Sequence, residues 1–276
     1  MLISTLTVQA QRAGMAYWNV DRLYDTVRSP FYHDDDFTPE GRYRWTAERY
    51  RRKVEAVAAV IDSMAMPVTV LYGVENEEVV RDIARALRHD YSYLHRTLNS
   101  LNGLEFAIFY YGDVLIPDRI ATYRRNVALH CRIAGRHAVL LLSRDEGDAE
   151  RLAAEIREEA PDAAVIAMGR LDLAKMGGLG FADTFAGEER AGRGERMRRK
   201  LWYFDERICA DTMLRTQAGV YARPELFDAS QSYVRPTFYG RKYMGGASSH
   251  LPIFVTVGWP EPLPAESLLQ YEKVRK

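Results

Sequence analysis

The strongest constraint on this 276-residue chain is the alternation, from one end to the other, of helical-period and strand-period segments with no Ser/Gly/Pro linker between them. Residues 46–64 place Tyr50, Val54, Val57, Ala58 and Ile61 at helical spacing. Arg49, Arg51, Arg52, Lys53 and Glu55 fall mainly on the other face, the pattern of an amphipathic helix lying on a sheet. The run 67–72 then reads as a buried strand, and 76–89 as a second helix with Asn76 as its N-cap. Strands are expected at 104–111, 123–133 and 137–142, the last two joined by a turn at Ala134–Gly135–Arg136. A helix over 147–159, a strand over 163–168 and strands over 207–214 and 251–257 complete the pattern. Residues 177–194, rich in Gly and charge, read as a long loop. This mixed order suits two packed mixed β-sheets clothed by helices, a four-layer α/β/β/α sandwich in one domain spanning 1–276.

Charge and composition limit the function classes. Lys plus Arg equals Asp plus Glu at 38 each, so no overall field draws in a polyanion and nucleic acid is a disfavoured partner. Cys131 and Cys209 are too few and too far apart for a disulfide framework or a zinc site, and both read as core. Residues 1–14 carry no charge before Arg12 and make a poor signal peptide. No apolar run approaches the ~20 residues of a membrane span, so a cytoplasmic location is the expectation unless a leader has been removed.

Short motifs then appear in a fixed order. Asn19-Val-Asp-Arg-Leu-Tyr-Asp25 follows Trp18, and Leu71-Tyr-Gly-Val-Glu-Asn76 closes the strand after the first helix. Gly103 to Tyr110, Leu140-Leu-Leu-Ser-Arg144, Met168-Gly-Arg-Leu-Asp172, Trp202 to Asp211 and Tyr243 to Pro252 follow. Together these resemble the endonuclease/exonuclease/phosphatase superfamily, whose corresponding segments read N-V-E-N-L-F-D, L-Q-E-V-E-N, G-I-D-V-A-L-L-Y, H-W-P-S-R, M-G-D-F-N, W-N-M-I-D-Q-I-I-V-S and Y-x-G-G-Y-S-D-H-L-P.

The resemblance implies a site for Mg²⁺-dependent phosphoester hydrolysis, in which a hard cation held by carboxylates offsets charge on the phosphate. Set against the family pattern, the metal-holding glutamate becomes Gly73 and the histidine of H-W-P-S-R becomes Leu140. The aspartate of M-G-D-F-N becomes Arg170, and the aspartate before the last histidine becomes Ser249. Asn19, Asp172, Glu206 and His250 stand at surviving positions, with Glu206 placed to orient His250. Loss of one charge-stabilising group commonly costs a hundred- to a thousandfold in rate. The resemblance therefore implies a catalytically impaired member that needs no cofactor and acts as a binding module. Its partner would be a phosphate-bearing small molecule, taken by Arg170 as an anion clamp, or another protein. The bland reading of Arg170 is a salt bridge to Asp172 or Glu75.

The alternative is a metal-dependent phosphodiesterase or phosphatase, using Mg²⁺, whose site is rebuilt from Asn19, Glu75, Asp172, Glu206 and His250. Glu75 is the one substitute metal ligand in that scheme. The acidic run 34–36 lacks calcium-loop spacing and reads as a solvated loop, and the basic cluster Arg193, Arg196, Arg198, Arg199 and Lys200 as a solvent-facing one.

Overall fold

The computed structural model describes residues 12–98 and 100–260. Two six-stranded mixed sheets lie against each other. The first holds β1 (Arg12–Leu23), β2 (Val68–Val74), β3 (Ser92–Arg96), β4 (Glu105–Tyr110), β13 (Arg215–Val220) and β16 (Ile253–Gly258), in the order β13-β16-β1-β2-β4-β3. The second holds β5 (Leu115–Tyr123), β6 (Asn126–Ile133), β7 (Arg136–Ser143), β8 (Ala164–Gly169), β9 (Phe181–Asp183) and β12 (Arg207–Asp211), in the order β5-β6-β7-β8-β12-β9. Each sheet contains one parallel pair, β1 with β2 and β7 with β8, and is antiparallel elsewhere. Two hairpins, β10 (Arg196–Arg198) with β11 (Leu201–Tyr203) and β14 (Phe238–Tyr239) with β15 (Lys242–Tyr243), stand apart from the sheets.

The alternation of side chains along a strand divides the apolar residues between two cores. On β7, Ala138, Leu140 and Leu142 face inward to the first sheet, while Val139 and Leu141 face the outer helices. The inner core takes Tyr17, Val70 and Val255 from the first sheet and Leu129, Ile166 and Ile208 from the second. The outer core joins Ala128, Val165 and Cys209 to Ala149, Ala153 and Ile156 of α3 (Glu146–Glu159) and Met176 of α4 (Leu173–Gly178). On the far side α1 (Ala47–Met64) and α2 (Glu77–Ala86) cover the first sheet. The hydroxyl of Thr46 and the side-chain oxygen of Asn76 accept from the otherwise orphaned N–H groups of Arg49 and Val79. Cys131 and Cys209 are buried and unbridged. No helix among the described residues is long and apolar enough to cross a membrane.

Several expectations need correction. Residues 177–194 are not a bare loop: they contain β9, paired with β12, and α5 (Ala186–Arg190). The strand expected at 123–133 is broken by Arg124 in the left-handed region, so that β5 ends at Tyr123 and β6 begins at Asn126. Lys53, assigned to the polar face of α1, is 2% exposed. In the acidic run, Asp35 and Asp36 are solvated, whereas Asp34 is buried and accepts from the Ser29 N–H at 2.8 Å.

Candidate functional site

Three of the four surviving motif residues, Asn19, Glu206 and His250, meet where the C-terminal ends of β1 and β2 approach the loop before β16 and the segment before β12. Two long-range bonds fix the loop: the Trp18 indole donates to the His250 carbonyl at 2.8 Å, and the Ser248 hydroxyl to the Asn19 carbonyl at 2.6 Å. A third, from the Leu251 N–H to the Glu195 carbonyl at 2.7 Å, brings in the segment entering β10.

Within this junction Asn19 donates through Nδ2 to Glu206 Oε1 at 2.9 Å, and its Oδ1 accepts from the Asp21 N–H at 2.9 Å. Glu206 is 1% exposed, and the same oxygen pairs with the guanidinium of Arg144, whose Cζ lies over the Tyr72 ring 3.9 Å from its centroid. A buried carboxylate requires such a partner, because leaving water without one is costly for a charge. Arg144 ends the Ser-Arg pair of its motif, yet sequence reasoning assigned it no role.

His250 is not oriented by Glu206. Its Nδ1 faces Glu195 Oε1 at 3.5 Å, and its Nε2 faces Asp21 Oδ1 at 3.7 Å. Glu195 is held in turn by the N–H groups of Asp205 and Glu206 at 2.9 and 3.2 Å. Burial pushes the Glu195 carboxyl above its ordinary range, against the opposing pull of His250. Asp21 accepts from the Ser249 N–H at 2.6 Å and from the Ser249 hydroxyl at 2.9 Å. Burial alone pushes the Asp21 carboxyl upward, but His250, Lys53 and the two Ser249 bonds outweigh it and hold it below the usual carboxylate range. The Lys53 Nζ donates to the Arg22 carbonyl at 3.0 Å, and burial pulls its ammonium down to about 7 despite the nearby Asp21.

The altered positions have physical explanations of their own. Gly73 has φ +98°, and a Cβ there would stand 2.1 Å from the Asp21 carbonyl oxygen, so this backbone admits no side chain at the family's metal-holding position. Asp21 itself lies at φ 58°, within the register shift between β1 and β2. Leu140 is completely buried between the sheets. Arg170 does not pair with Asp172 or Glu75. It reaches Asp205 at 3.5 Å and Glu146 at 3.6 Å with its side chain 43% exposed, so as an anion clamp it already has two acidic partners. Of the basic cluster, Arg196 is tied to Asp205 at 2.9 Å and Arg193 to Glu188 at 2.6 Å, while Arg198, Arg199 and Lys200 are exposed.

Two further residues lie outside the junction. Asp172 caps α4, accepting from the Ala174 and Lys175 N–H groups at 3.1 and 3.2 Å. Glu75, 2% exposed, accepts from the Asp25 N–H at 2.7 Å; burial, reinforced by Asp25 and Asp34, pushes its carboxyl up to about 8. Among the described residues neither shares a hydrogen bond or ion pair with Asn19, Glu206 or His250.

The junction does not suit Mg²⁺. One atom each from Glu195, Glu206 and His250 fall within 4.8 Å of one another. That set offers only two carboxylates and a nitrogen, all nearly sealed from water, where Mg²⁺ prefers six oxygens and keeps several waters. The Glu206 oxygen is engaged by Arg144, and a guanidinium ~4 Å from a dication at an effective dielectric of ~20 repels it by about 8 kcal/mol.

Outward from Asp21 and Ser249 opens a cavity of about 320 Å³ that Arg22, Lys53, Arg196 and Phe238 also line. It adjoins a second of about 560 Å³ that shares Arg196, Tyr239 and Ser249 and adds Met197, Tyr233 and Met244. The Arg22 guanidinium lies over the rings of Phe37 and Tyr43 at 5.1 and 5.2 Å.

Comparison with known proteins agrees with this architecture. A Bacteroides thetaiotaomicron protein described as an endonuclease/exonuclease/phosphatase family protein superposes with TM-score 0.60 at 12% identity, over 91% of this chain and 99% of its own. The mannosyl-6-phosphatase of the same organism gives 0.58 at 12%, over 90% and 100%. D. rerio TDP2, in complex with a single-strand DNA product, gives 0.54 at 14%, over 90% and 99%. No curated protein sequence matches the chain. The family pattern itself matches residues 14–157, just over half of the 276, and the chain belongs to the endonuclease/exonuclease/phosphatase family.

Proposed function

We propose that this family member is a binding protein for a phosphate-bearing small molecule, in which the divalent-cation route of phosphoester hydrolysis is closed. One observation carries the reading: the Arg144 guanidinium, over the Tyr72 ring, pairs with Glu206 in the junction that also holds Asn19 and His250. A fixed cation thus stands among the residues that would otherwise gather a mobile one. The steric closure of Gly73 supports the same conclusion, because the missing carboxylate cannot be restored on this backbone.

The class of ligand follows from the cavity outside the junction. Arg22, Lys53 and Arg196 line it with Asp21 as the acid among them, and Arg22 faces aromatic rings, so the balance favours an anion. Two of the similar folds are described with a phosphatase activity or a bound single-strand DNA product, and both of those molecules carry phosphate. The rebuilt metal-dependent phosphoesterase is the weaker reading, because Glu75 and Asp172 are engaged elsewhere.

The test has two arms. Incubation with Mg²⁺ or Mn²⁺ and a panel of phosphodiesters, phosphomonoesters and nucleic acids is expected to give no turnover above that of His250→Ala. Titration with inorganic phosphate, followed by NMR, is expected to show saturable binding that Arg22→Ala weakens. Turnover that His250→Ala abolishes overturns the proposal.

A further inference from the structure

Asp21 occupies a position that a free anion would suit. Its two carboxylate oxygens accept from the Ser249 N–H at 2.6 Å and the Ser249 hydroxyl at 2.9 Å, and His250 Nε2 stands 3.7 Å away. The buried Lys53 completes the positive surroundings from α1. A backbone N–H and a hydroxyl donating to one carboxylate, with an imidazole beside it and the charge of a buried lysine acting on it, make the kind of surroundings that recognise small oxyanions elsewhere.

The backbone is distorted to place the carboxylate there. A non-glycine residue at φ 58° is uncommon and uses the left-handed region that costs an ordinary side chain of order 1 kcal/mol. The facing Gly73 must lack a Cβ for the Asp21 carbonyl to fit. Asp21 lies within the register shift between β1 and β2, where its carboxylate meets Ser249 and His250.

We infer that the Asp21 carboxylate is a tethered occupant of an oxyanion site formed by Ser249, His250 and Lys53, and that a small free oxyanion binds there once the carboxylate is withdrawn. The site faces the 320 Å³ cavity, since Asp21, Lys53 and Ser249 line both. The inference rests on the binding reading and sharpens it: the anionic head of a ligand entering past Arg22 competes with Asp21 for the same donors.

The experiment uses the Asp21→Gly variant of the full chain, because glycine accepts the left-handed backbone and removes the carboxylate together. Formate, compared with chloride at equal ionic strength, is expected to raise the variant's Tm saturably, by about 3–6 °C at tenfold excess over its Kd. The wild-type protein and Asp21→Asn, whose amide still fills the site, are expected to show no formate-specific shift. Adding Ser249→Ala to Asp21→Gly is expected to weaken formate about tenfold, in proportion to the loss of one charge-assisted hydrogen bond.

A variant that folds only when formate is present also supports the inference. A variant unresponsive to formate, or still unfolded in its excess, overturns it. These outcomes are separable from failure of the binding reading, which is decided on the wild-type chain by turnover and by phosphate titration. Formate rescue of Asp21→Gly in a protein that proves to hydrolyse phosphoesters leaves the oxyanion site standing and removes only the binding role.

Discussion

Replacing Arg144 by methionine removes the charge from the junction while keeping an apolar stem against Tyr72. Glu206 is 1% exposed, and its other close partner is the Asn19 amide at 2.9 Å, so its carboxylate is left buried with one neutral donor. Breaking a buried ion pair from one side costs about 3–5 kcal/mol, because the remaining charge stays desolvated. Loss of the guanidinium over the ring at 3.9 Å adds up to about 2 kcal/mol, part of which methionine returns through its own contact with the ring. In a protein of this size each kcal/mol shifts Tm by about 2–4 °C, so the pair term alone gives a fall of roughly 6–20 °C.

Urea and thermal unfolding of Arg144→Met, Glu206→Gln and the double variant complete a cycle. The double variant is expected to recover most of the loss, because glutamine still accepts from Asn19, and the coupling is expected to reach about 2 kcal/mol or more. If Arg144→Met loses less than about 1 kcal/mol, or the two changes add within about 0.5 kcal/mol, the guanidinium is not what neutralises this carboxylate.

Three other outcomes follow from the same geometry. The Glu75 carboxyl, raised to about 8 in the folded chain against about 4.3 unfolded, leaves stability intact below the lower value and erodes it as pH rises through the upper; the limit is about 5 kcal/mol. Glu75→Gln is therefore expected to flatten the fall of Tm between pH 5 and 9. Gly73→Glu, which restores the family's acid in name, is expected to lose at least about 2 kcal/mol in urea unfolding and to gain no hydrolysis, since even its Cβ collides with the Asp21 carbonyl. Arg170→Ala is expected to change stability by less than about 1 kcal/mol and phosphate affinity little, its ion pairs being half-exposed and 3.5–3.6 Å long.

The sequence exposes whatever is encoded locally. Thr46 and Asn76 announce the starts of α1 and α2, and the apolar run 138–142 announces β7, because caps and periodicity are short-range properties. β9 is three residues long and exists through its pairing with β12, so the Gly-rich composition around it hides it. β13 is a polar edge strand and β3 a mixed one, and neither alternates clearly enough to read.

The site divides in the same way. Asn19, Glu206 and His250 stand in recognisable motifs. Arg144 and Glu206 meet across 62 residues, and Ser249 and Asp21 across 228, which no local pattern encodes. Lys53 carried a faint signal in its place beside Val54 and four residues before Val57, on the border of the apolar stripe of α1. The cation in the junction proves to be Arg144, while Arg170, read from sequence as an anion clamp, is part-exposed and balanced by Asp205 and Glu146.

The decisive measurement is a titration of the wild-type chain with Mn²⁺, followed by electron paramagnetic resonance of the free ion. With Arg144 seated on Glu206, the signal is expected to match buffer at every concentration up to the millimolar range. A saturable, stoichiometric loss of free Mn²⁺ that disappears in Glu206→Gln would show that the junction still collects a dication, and that the guanidinium does not close it.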